Sequence, residues 1–440
     1  MTAFTLPVVE FSFGGGQCGP DKLRGLVTHG PFQRLANEKP FFGFVFPEES
    51  RDSANKLFLA LKNGIGLFRG VENTFRFTLS RDQVFPIPVT GVQLSSRADH
   101  SRNARAYADA VLTWSAGQAK VRPDIFFVLH PKTPDSEPAT PYYECKAILL
   151  KEAMLSQNVT LDLINNASQF QWSAANIALG AFVKLAGIPW VVKGEDLDED
   201  LIIGIGRAYL YDPKSRQTTG YMAFTACFSA RGPLKFMSLA EVARTRDDYL
   251  KALNNIVKTT LTRAETLGNR VTSLTVHVPK EMQRMEMEAI RTAARSHKTN
   301  SLLQPLVIKV TEESSFFAVD DRYKDGIPRR GTAVQVSDRD YMLYTEGREE
   351  KEAWAVRLPV ALRVTPQGET LARPRMLGAL RQINDLSQVN WRGLNARSKP
   401  ISIYYGSLIA RILSHLSPEH VSELYGPDAH KMLQERMWFL

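Results

Sequence analysis

The sequence predicts an α/β protein made of two successive domains. Between residues 35 and 195, short apolar runs alternate with segments of helical periodicity, which is the pattern of an α/β domain. Past an acidic stretch at 194–200, two strand-like runs precede a long helical segment and a third apolar run. We therefore expect an N-terminal extension over 1–35 that packs on the second domain, a first domain over 36–195 and a second domain over 196–440.

Periodicity and glycine or proline signals place the elements of the extension and the first domain. The run Pro7–Phe13 predicts a strand, and the glycines at 14–16 predict a turn, because no Gly-Lys-Ser/Thr follows to form a phosphate loop. A helix that begins near Ser168 is expected to end at Gly187, with Pro189 just beyond. Further strands are expected at Phe41–Phe46, Ile125–Leu129 and Trp190–Val192, and further helices at Ala54–Gly64 and Ser101–Ala116.

The second domain is expected to open with two paired strands, Leu201–Tyr211 and Tyr221–Phe228. A long helix, Leu239–Ala264, and a third strand, Val271–Val278, are predicted to follow. Further α/β alternation leads to a helix at Tyr405–Leu416 and to a short helix ahead of the C-terminus.

The composition is that of a globular protein with a modest surplus of positive charge. Against 46 Asp and Glu residues stand 55 Lys and Arg, and the net charge of +9 fits either a polyanionic partner or a basic solvated surface. Cys18, Cys145 and Cys227 are too scattered for a disulfide framework or a zinc site, which fits a reducing cytoplasm. The N-terminus lacks a basic signal region, and a lysine and a proline interrupt the most apolar stretch, at 176–192, so we expect neither secretion nor a membrane span.

Four residues of the first domain suit a site for a terminal phosphate and its base. Lys146 and Lys184 supply positive charge, and ammonium groups on rigid elements bind a phosphate dianion better than solvated ones. Tyr142 offers an aromatic face for a base of any identity, and such stacking contributes roughly 1–3 kcal/mol. Gln157 follows Lys146 by about a dozen residues. Each residue alone is more often a packing or surface residue, whereas the four together favour a pocket.

In order and spacing, these residues resemble the MID domain of Argonaute proteins, and the second half of the chain is similar to a PIWI domain. The resemblance implies a Rossmann-like MID domain followed by an RNase H-like PIWI domain. It also implies that Tyr142, Lys146, Gln157 and Lys184 bind the 5′ phosphate and first base of a small guide. Eukaryotic members carry one more lysine where this chain has Gly180, and a metal ion would replace that charge.

The end of the chain is expected to contribute to such a metal site. Its last four residues, 437–440, are apolar and would normally pack inside, so that the terminal carboxylate is buried as well. A buried carboxylate must be paired or bound to a cation. Short Argonaute relatives use a C-terminal leucine carboxylate to coordinate Mg²⁺ at the guide phosphate. The resemblance therefore implies Leu440 and Gln157 as Mg²⁺ ligands.

The positions of the PIWI nuclease ligands carry other residues. Active members use three Asp and a Glu, or a His in place of one Asp, to hold two Mg²⁺ ions about 4 Å apart. Matched to that pattern, the first strand has Gly206, the third strand ends at Pro279 or its neighbour Val278, and the last ligand position holds Ser407. We therefore expect a catalytically inactive PIWI domain and no enzymatic activity in this chain.

Other motifs of the second domain give weaker signals. Gly204-x-Gly206 resembles part of a dinucleotide-binding motif, but its third glycine is missing and a strand continues through it. His277 and Glu281 stand near the third strand, yet one histidine and one acid do not make a two-metal site, and both are more often core or surface residues.

Some segments of the second domain resemble the lining of the guide and target channel in PIWI domains. These are Asn390-Trp-Arg-Gly393 and Tyr404-Tyr405, and for Trp391 core packing is as good an interpretation as nucleic-acid contact. Arg411, one helical turn after Ser407, is expected to approach the 5′ phosphate from the PIWI side.

The resemblance also implies partners. At 440 residues the chain leaves no room for the N-terminal and PAZ domains of long Argonautes. Short members are paired with a separate APAZ-containing effector protein, a sirtuin-like or TIR NADase or a nuclease. A guide RNA would pair with invading single-stranded DNA and thereby activate that effector in defence, since base pairing reads the sequence while the protein holds the backbone. The alternatives are a self-sufficient guide-directed nuclease with an altered metal site and a stand-alone nucleic-acid-binding protein.

Overall fold

A four-stranded sheet in the first half of the chain and a nine-stranded sheet in the second half organise the molecule, and the predicted α/β class is confirmed. Within the part of the chain that is described, no helix is both long and apolar enough to cross a membrane. The computed structural model describes residues 2–95, 99–117, 121–133, 140–194, 200–212, 217–240, 242–268, 271–297, 302–348, 358–395, 397–416 and 431–440.

The elements of the first half begin with three short strands and a helix and continue as alternating strands and helices. They are β1 (Thr2–Thr5), β2 (Phe11–Ser12), β3 (Cys18–Gly19), α1 (Lys22–His29), β4 (Phe42–Pro47), α2 (Arg51–Asn63), α3 (Gly70–Phe75), β5 (Val84–Val89), α4 (His100–Gly117), β6 (Ile125–His130), α5 (Pro141–Lys151), β7 (Leu155–Thr160), α6 (Leu161–Asn165), α7 (Ala167–Lys184) and β8 (Val191–Val192).

The second half opens with three strands and closes with helices. Its elements are β9 (Asp200–Asp212), β10 (Gln217–Phe228), β11 (Leu234–Leu239), α8 (Arg246–Thr266), β12 (Ser273–Val278), α9 (Arg284–Arg295), β13 (Leu306–Glu313), β14 (Thr332–Gln335), β15 (Tyr341–Tyr344), β16 (Ala361–Pro366), α10 (Arg373–Gln388), α11 (Ile401–His415) and α12 (Lys431–Glu435).

The first sheet is entirely parallel, in the order β5-β4-β6-β7. Its two central strands, β4 and β6, are buried at every residue. That pattern follows from helices on both faces, which is the usual condition of parallel sheets. One face packs on α2, α3 and α7, and the other on α4 and α5.

The second sheet is mixed, in the order β1-β14-β15-β16-β13-β12-β9-β10-β11. Strands β9, β12 and β13 run parallel, and β9 forms a long antiparallel pair with β10. Helices α8 and α9 cover one face, whereas α10 and α11 cover the other. The largest apolar core continues from the first half into the second, since Phe182 and Trp190 belong to the same cluster as Trp391, Tyr405 and Phe439.

The predicted elements occur near their expected positions, with a few differences. The long helix was predicted to begin at Leu239, which is wrong: Leu239 ends β11, and α8 begins only at Arg246, after Thr245 caps its first turn. Of the run Pro7–Phe13, only Phe11 and Ser12 are strand. The extension over 1–35 contacts both halves, because β1 pairs with β14 while β2 pairs with β8 and α1 packs on α3.

Candidate functional site

The four residues singled out in the first half lie together between α5, β7 and α7. Tyr142 and Lys146 are one turn apart on α5, and the Lys146 Nζ lies 5.7 Å from the centroid of the Tyr142 ring. The Nζ of Lys184, in the last turn of α7, donates a hydrogen bond of 2.7 Å to Oε1 of Gln157 on β7. Residues 42 positions apart in the chain thus form one pocket because α5, β7 and α7 are neighbours in the fold.

Both lysines of the pocket are buried, each with only 1% of its surface exposed. Burial, helped by the nearby Arg392 guanidinium, lowers the pKa of Lys146 to about 7. Burial, then Lys146 and Arg392, hold the pKa of Lys184 well below its usual range. The described charges that act on these lysines are all positive. The pocket therefore lacks a described counter-charge, and an anion would bind there favourably.

Gly180 shapes the wall of this pocket. It lies one turn before Lys184 on α7, and a Cβ added there would stand 2.8 Å from the Oε1 of Gln157. The missing side chain therefore leaves the space in which Gln157 reaches Lys184.

Arginines from the second half extend the positive charge of the pocket. Burial raises the pKa of Tyr142 to about 12, while the charges of Arg392 and Arg411 act in the opposite direction. Arg411 was predicted to approach from this side. The sequence predicts Arg392 only as part of the channel lining. Its effect on both lysines was not predicted, because no sequence signal links Arg392 to them.

The loop that carries Arg392 is fixed to both halves of the molecule. Trp391 is a core residue, 2% exposed, whose backbone N–H donates to the Tyr405 hydroxyl and whose Nε1–H donates to the Trp190 carbonyl. The N–H of Leu394 donates to Oδ1 of Asn176 on α7 at 3.1 Å. Core packing is therefore the observed role of Trp391.

The rim of the pocket holds two histidines that the sequence did not reveal. His415, on α11, stacks on Tyr143 with ring centroids 4.4 Å apart. His130, at the end of β6, lies 6.4 Å from the Tyr142 ring, and burial lowers its pKa below the ordinary value. The spacing of these residues in the chain carries no hint of the contacts, which arise from tertiary packing.

The C-terminal residues pack inside, as expected. Trp438 and Phe439 are 1% and 2% exposed, and the Phe439 ring lies 5.3 Å from that of Tyr405. Leu440 is partly buried against the same core, and its N–H donates to the Met437 carbonyl. The described contacts of Leu440 do not include Gln157, so a shared metal site stays a prediction.

The three positions aligned with nuclease ligands lie around the middle of β9. Gly206 is the register partner of Phe224, and a Cβ on Gly206 would stand 2.1 Å from Cζ of that buried ring. Pro279 directly follows β12, which is paired in parallel with β9. Ser407, on α11, donates its hydroxyl to the Ile403 carbonyl. An aromatic ring thus fills the space beside Gly206.

Gly204 has a packing role in the same region, rather than the role of a glycine in a dinucleotide-binding motif. A Cβ at Gly204 would stand 2.0 Å from the Ser402 carbonyl oxygen, so the close approach of α11 to β9 requires glycine. His277 is a core residue, hydrogen-bonded to the Ser402 hydroxyl, and burial lowers its pKa to about 4. Glu281 is exposed and paired with Lys309. Among the described residues, no cluster of three or more His, Cys, Asp or Glu side chains could hold a metal.

Comparison with known proteins identifies relatives of the whole chain. A Piwi domain profile matches residues 125–348, half of the chain. The protein argonaute of Cereibacter sphaeroides is 22% identical over 99% of this chain and 58% of its own length. The Piwi protein of Archaeoglobus fulgidus is 22% identical over 68% of this chain and 71% of its own length. The solved Clostridium butyricum Argonaute, bound to a guide DNA and a 19-mer target DNA, shares the fold with a TM-score of 0.65 and 16% identity, over 94% of this chain and 54% of that one. The chain therefore spans little more than half the length of the first-named relative and of the solved structure.

Proposed function

The chain belongs to the Piwi domain family, and from this premise we propose that it holds a small guide nucleic acid by its 5′-phosphorylated end and recognises a complementary strand without cutting it. The observation that carries the proposal is the pair of buried lysines, Lys146 and Lys184, on which only positive charges act in the described chain. Burying like charges without a counter-charge is costly. A terminal phosphate, which carries close to two negative charges, offsets that cost.

Each residue of the pocket has a role in this proposal. The lysines bind the phosphate, Gln157 donates through its amide nitrogen, and the Tyr142 ring stacks on the first base. The charges of Arg392 and Arg411 act on Tyr142, and these side chains would meet the phosphates that follow. Such contacts hold a strand in place without reading its sequence, so specificity is left to base pairing.

We propose RNA as the guide and single-stranded DNA as the target. A nucleic-acid function agrees with the Clostridium butyricum relative, which was solved with guide and target DNA. We further propose that target recognition activates a separate APAZ-containing effector protein in prokaryotic defence.

A magnesium ion is part of the proposal. Its protein ligands would be the Gln157 amide oxygen and the Leu440 carboxylate, hard oxygen donors of the kind that Mg²⁺ prefers. The fit rests on the donor set and on the buried residues next to Leu440, which hold the chain end against the core. When bound, the ion would neutralise part of the phosphate charge. In eukaryotic members a lysine does this at the position where the present chain has Gly180.

The absence of cutting is proposed from the ligand positions. Phe224 occupies the space where a side chain at Gly206 would begin, and the Ser407 hydroxyl donates its hydrogen bond to a backbone carbonyl. A two-metal centre needs several carboxylates at these positions. If the isolated chain, loaded with a guide, cleaves a complementary target in Mg²⁺ or Mn²⁺, the rival of a self-sufficient nuclease replaces this part of the proposal.

The proposed function is tested by the nucleic acid that co-purifies with the chain. Extracted nucleic acid is labelled with polynucleotide kinase before and after phosphatase treatment. Short RNAs that label only after phosphatase support a 5′-phosphorylated guide. The double variant K146M/K184M should retain much less RNA, whereas K251M/K258M, which changes two exposed lysines on α8, should retain the wild-type amount. Absence of short nucleic acid, or ends that label directly, would refute the proposal.

A further inference from the structure

A row of residues along α7 runs from the pocket to an exposed tryptophan. Lys184, Gly180, Asn176 and Trp172 follow one another at intervals of four residues; each step advances about one turn and rotates about 40° around the helix, so the row winds gradually around α7. Lys184 and Gly180 face Gln157, and Asn176 holds the loop that carries Arg392. Trp172 ends this row and is 64% exposed.

An indole exposed to this degree needs an explanation, because a large aromatic side chain gains most from burial. None of the described aromatic or cation–π contacts of the molecule involves Trp172. The 18 residues of α7 include no Asp or Glu, so this helix presents no carboxylate that would repel a polyanion. The row therefore combines a phosphate-binding end, neutral polar residues and an aromatic face.

We propose that Trp172 is a stacking platform for a base of the guide strand some nucleotides beyond its 5′ phosphate. Twelve residues of α-helix separate Trp172 from Lys184, a distance of about 18 Å at the helical rise of about 1.5 Å per residue. At about 3.4 Å per stacked nucleotide, that distance corresponds to about five nucleotides. The inference rests on the proposed function, since it takes the pocket as the start of the strand.

The test measures how affinity grows with guide length. Wild type, W172A, W172F and L67A are titrated with 5′-phosphorylated oligoribonucleotides of two to ten nucleotides. Leu67 is the matched control: it is 62% exposed and lies beside Gly66, whose Cα faces Gln171, the neighbour of Trp172. Wild type and L67A should gain about tenfold in affinity, as base stacking supplies, once the strand reaches Trp172. W172A should lack this step and still bind the dinucleotide like wild type, and W172F should keep part of it.

A fluorescent base locates the platform directly. With 2-aminopurine placed in turn at positions two to eight of a ten-nucleotide guide, one position near the fifth should be quenched by wild type and not by W172A. If W172A binds every length like wild type, the platform is wrong, and Trp172 is then available to a protein partner. Equal losses in W172A and L67A at all lengths would also overturn it. Failure of the pocket itself would instead appear as equal wild-type affinity for 5′-phosphorylated and 5′-hydroxyl dinucleotides.

Discussion

At the scale of single residues, the pocket depends on small steric and electrostatic details. Lys146 and Lys184 are almost fully buried and are surrounded by further positive charge, which is unfavourable until an anion arrives. Gln157 accepts from Lys184 in the space that Gly180, which has no side chain, leaves open. The positive charge of the buried lysines and the space beside Gly180 together prepare the site.

Gly180→Ala should weaken binding of a 5′-phosphorylated guide about tenfold. Its Cβ would stand 2.8 Å from the Gln157 Oε1 and displace that side chain, and a hydrogen bond to a charged group is worth about 1.5–3 kcal/mol. Gly378→Ala, at an exposed position inside α10, is the control, because a Cβ there meets nothing within 4 Å. Both variants should gain a little helix stability. Filter binding measures the guide affinity and thermal melts measure the stability, so the two effects can be separated. Unchanged affinity in G180A would show that guide binding does not depend on the position of Gln157.

The unliganded protein should become more stable as the pH rises from about 7 toward about 8.5. The folded pKa of Lys146, about 7, lies below the unfolded value, so in this window the unfolded chain binds more protons. Arg392 repels the same proton, and the groups that act in the opposite direction do so only at higher pH: burial raises the pKa of Cys145 and of Tyr142 above their ordinary values of about 9 and 10, so their contributions begin above this window. Urea unfolding at several pH values measures the slope. The variant K146M should reduce the slope of the free energy of unfolding against pH, whereas K251M, at an exposed site, should leave it unchanged. A wild-type slope in K146M would show that other groups cause the pH dependence.

At the scale of elements, one loop joins the two halves at the pocket. Residues 389–394 follow α10, insert Trp391 into the shared core and bind α7 through Asn176. The loop thereby presents Arg392 to residues of α5 and α7. The position of this arginine is set by helices from both halves rather than by its own flanking residues.

Asn176→Ala should lower guide affinity severalfold because it frees the loop that carries Arg392. It removes the acceptor of the Leu394 N–H, and an N–H left without a partner costs about 1–3 kcal/mol. Asn254→Ala is a matched control: it loses a side-chain hydrogen bond to the Ala289 carbonyl on the other side of the second sheet. Both variants should melt at lower temperature. Only N176A should bind guide less tightly, and equal affinities would contradict a positioning role for the loop.

At the scale of the whole molecule, the two sheets share one apolar core that also takes in the end of the chain. Phe439 contacts Tyr405, and the Tyr405 hydroxyl holds the backbone of Trp391, the neighbour of Arg392. The chain end, α11 and the pocket loop thus form a continuous set of contacts. A change at the end of the chain is therefore expected to reach the guide site.

Residues appended beyond Leu440 should weaken binding of 5′-phosphorylated guides, and more so in Mg²⁺ than in EDTA. The added residues would remove the proposed carboxylate ligand and disturb the buried Trp438 and Phe439. The same tag placed at the N-terminus, beside the edge strand β1, serves as the control. Isothermal titration with guide in each buffer gives the comparison. Equal affinity for both tagged proteins in Mg²⁺ would remove Leu440 from the proposed metal site.

The sequence by itself determined the α/β class and several of the helices and strands, because these depend on local periodicity. Strands β4 and β6, for example, appear as unbroken apolar runs. The four pocket residues were predicted from their resemblance to the MID domain pattern, and only the fold brings α5, β7 and α7 together. The strand β11 is not among the predicted elements, and its last residue, Leu239, was predicted to begin the long helix.

Only the tertiary structure decided which distant residues meet. Arg392 beside the buried lysines, His415 on Tyr143, Gly180 against Gln157 and Phe224 over Gly206 all join segments that no sequence spacing relates. Such contacts depend on how sheets and helices pack, and packing is a property of the folded chain rather than of any short stretch of it. For the same reason, Trp391 could be assigned to the core only after its partners Tyr405 and Trp190 were located.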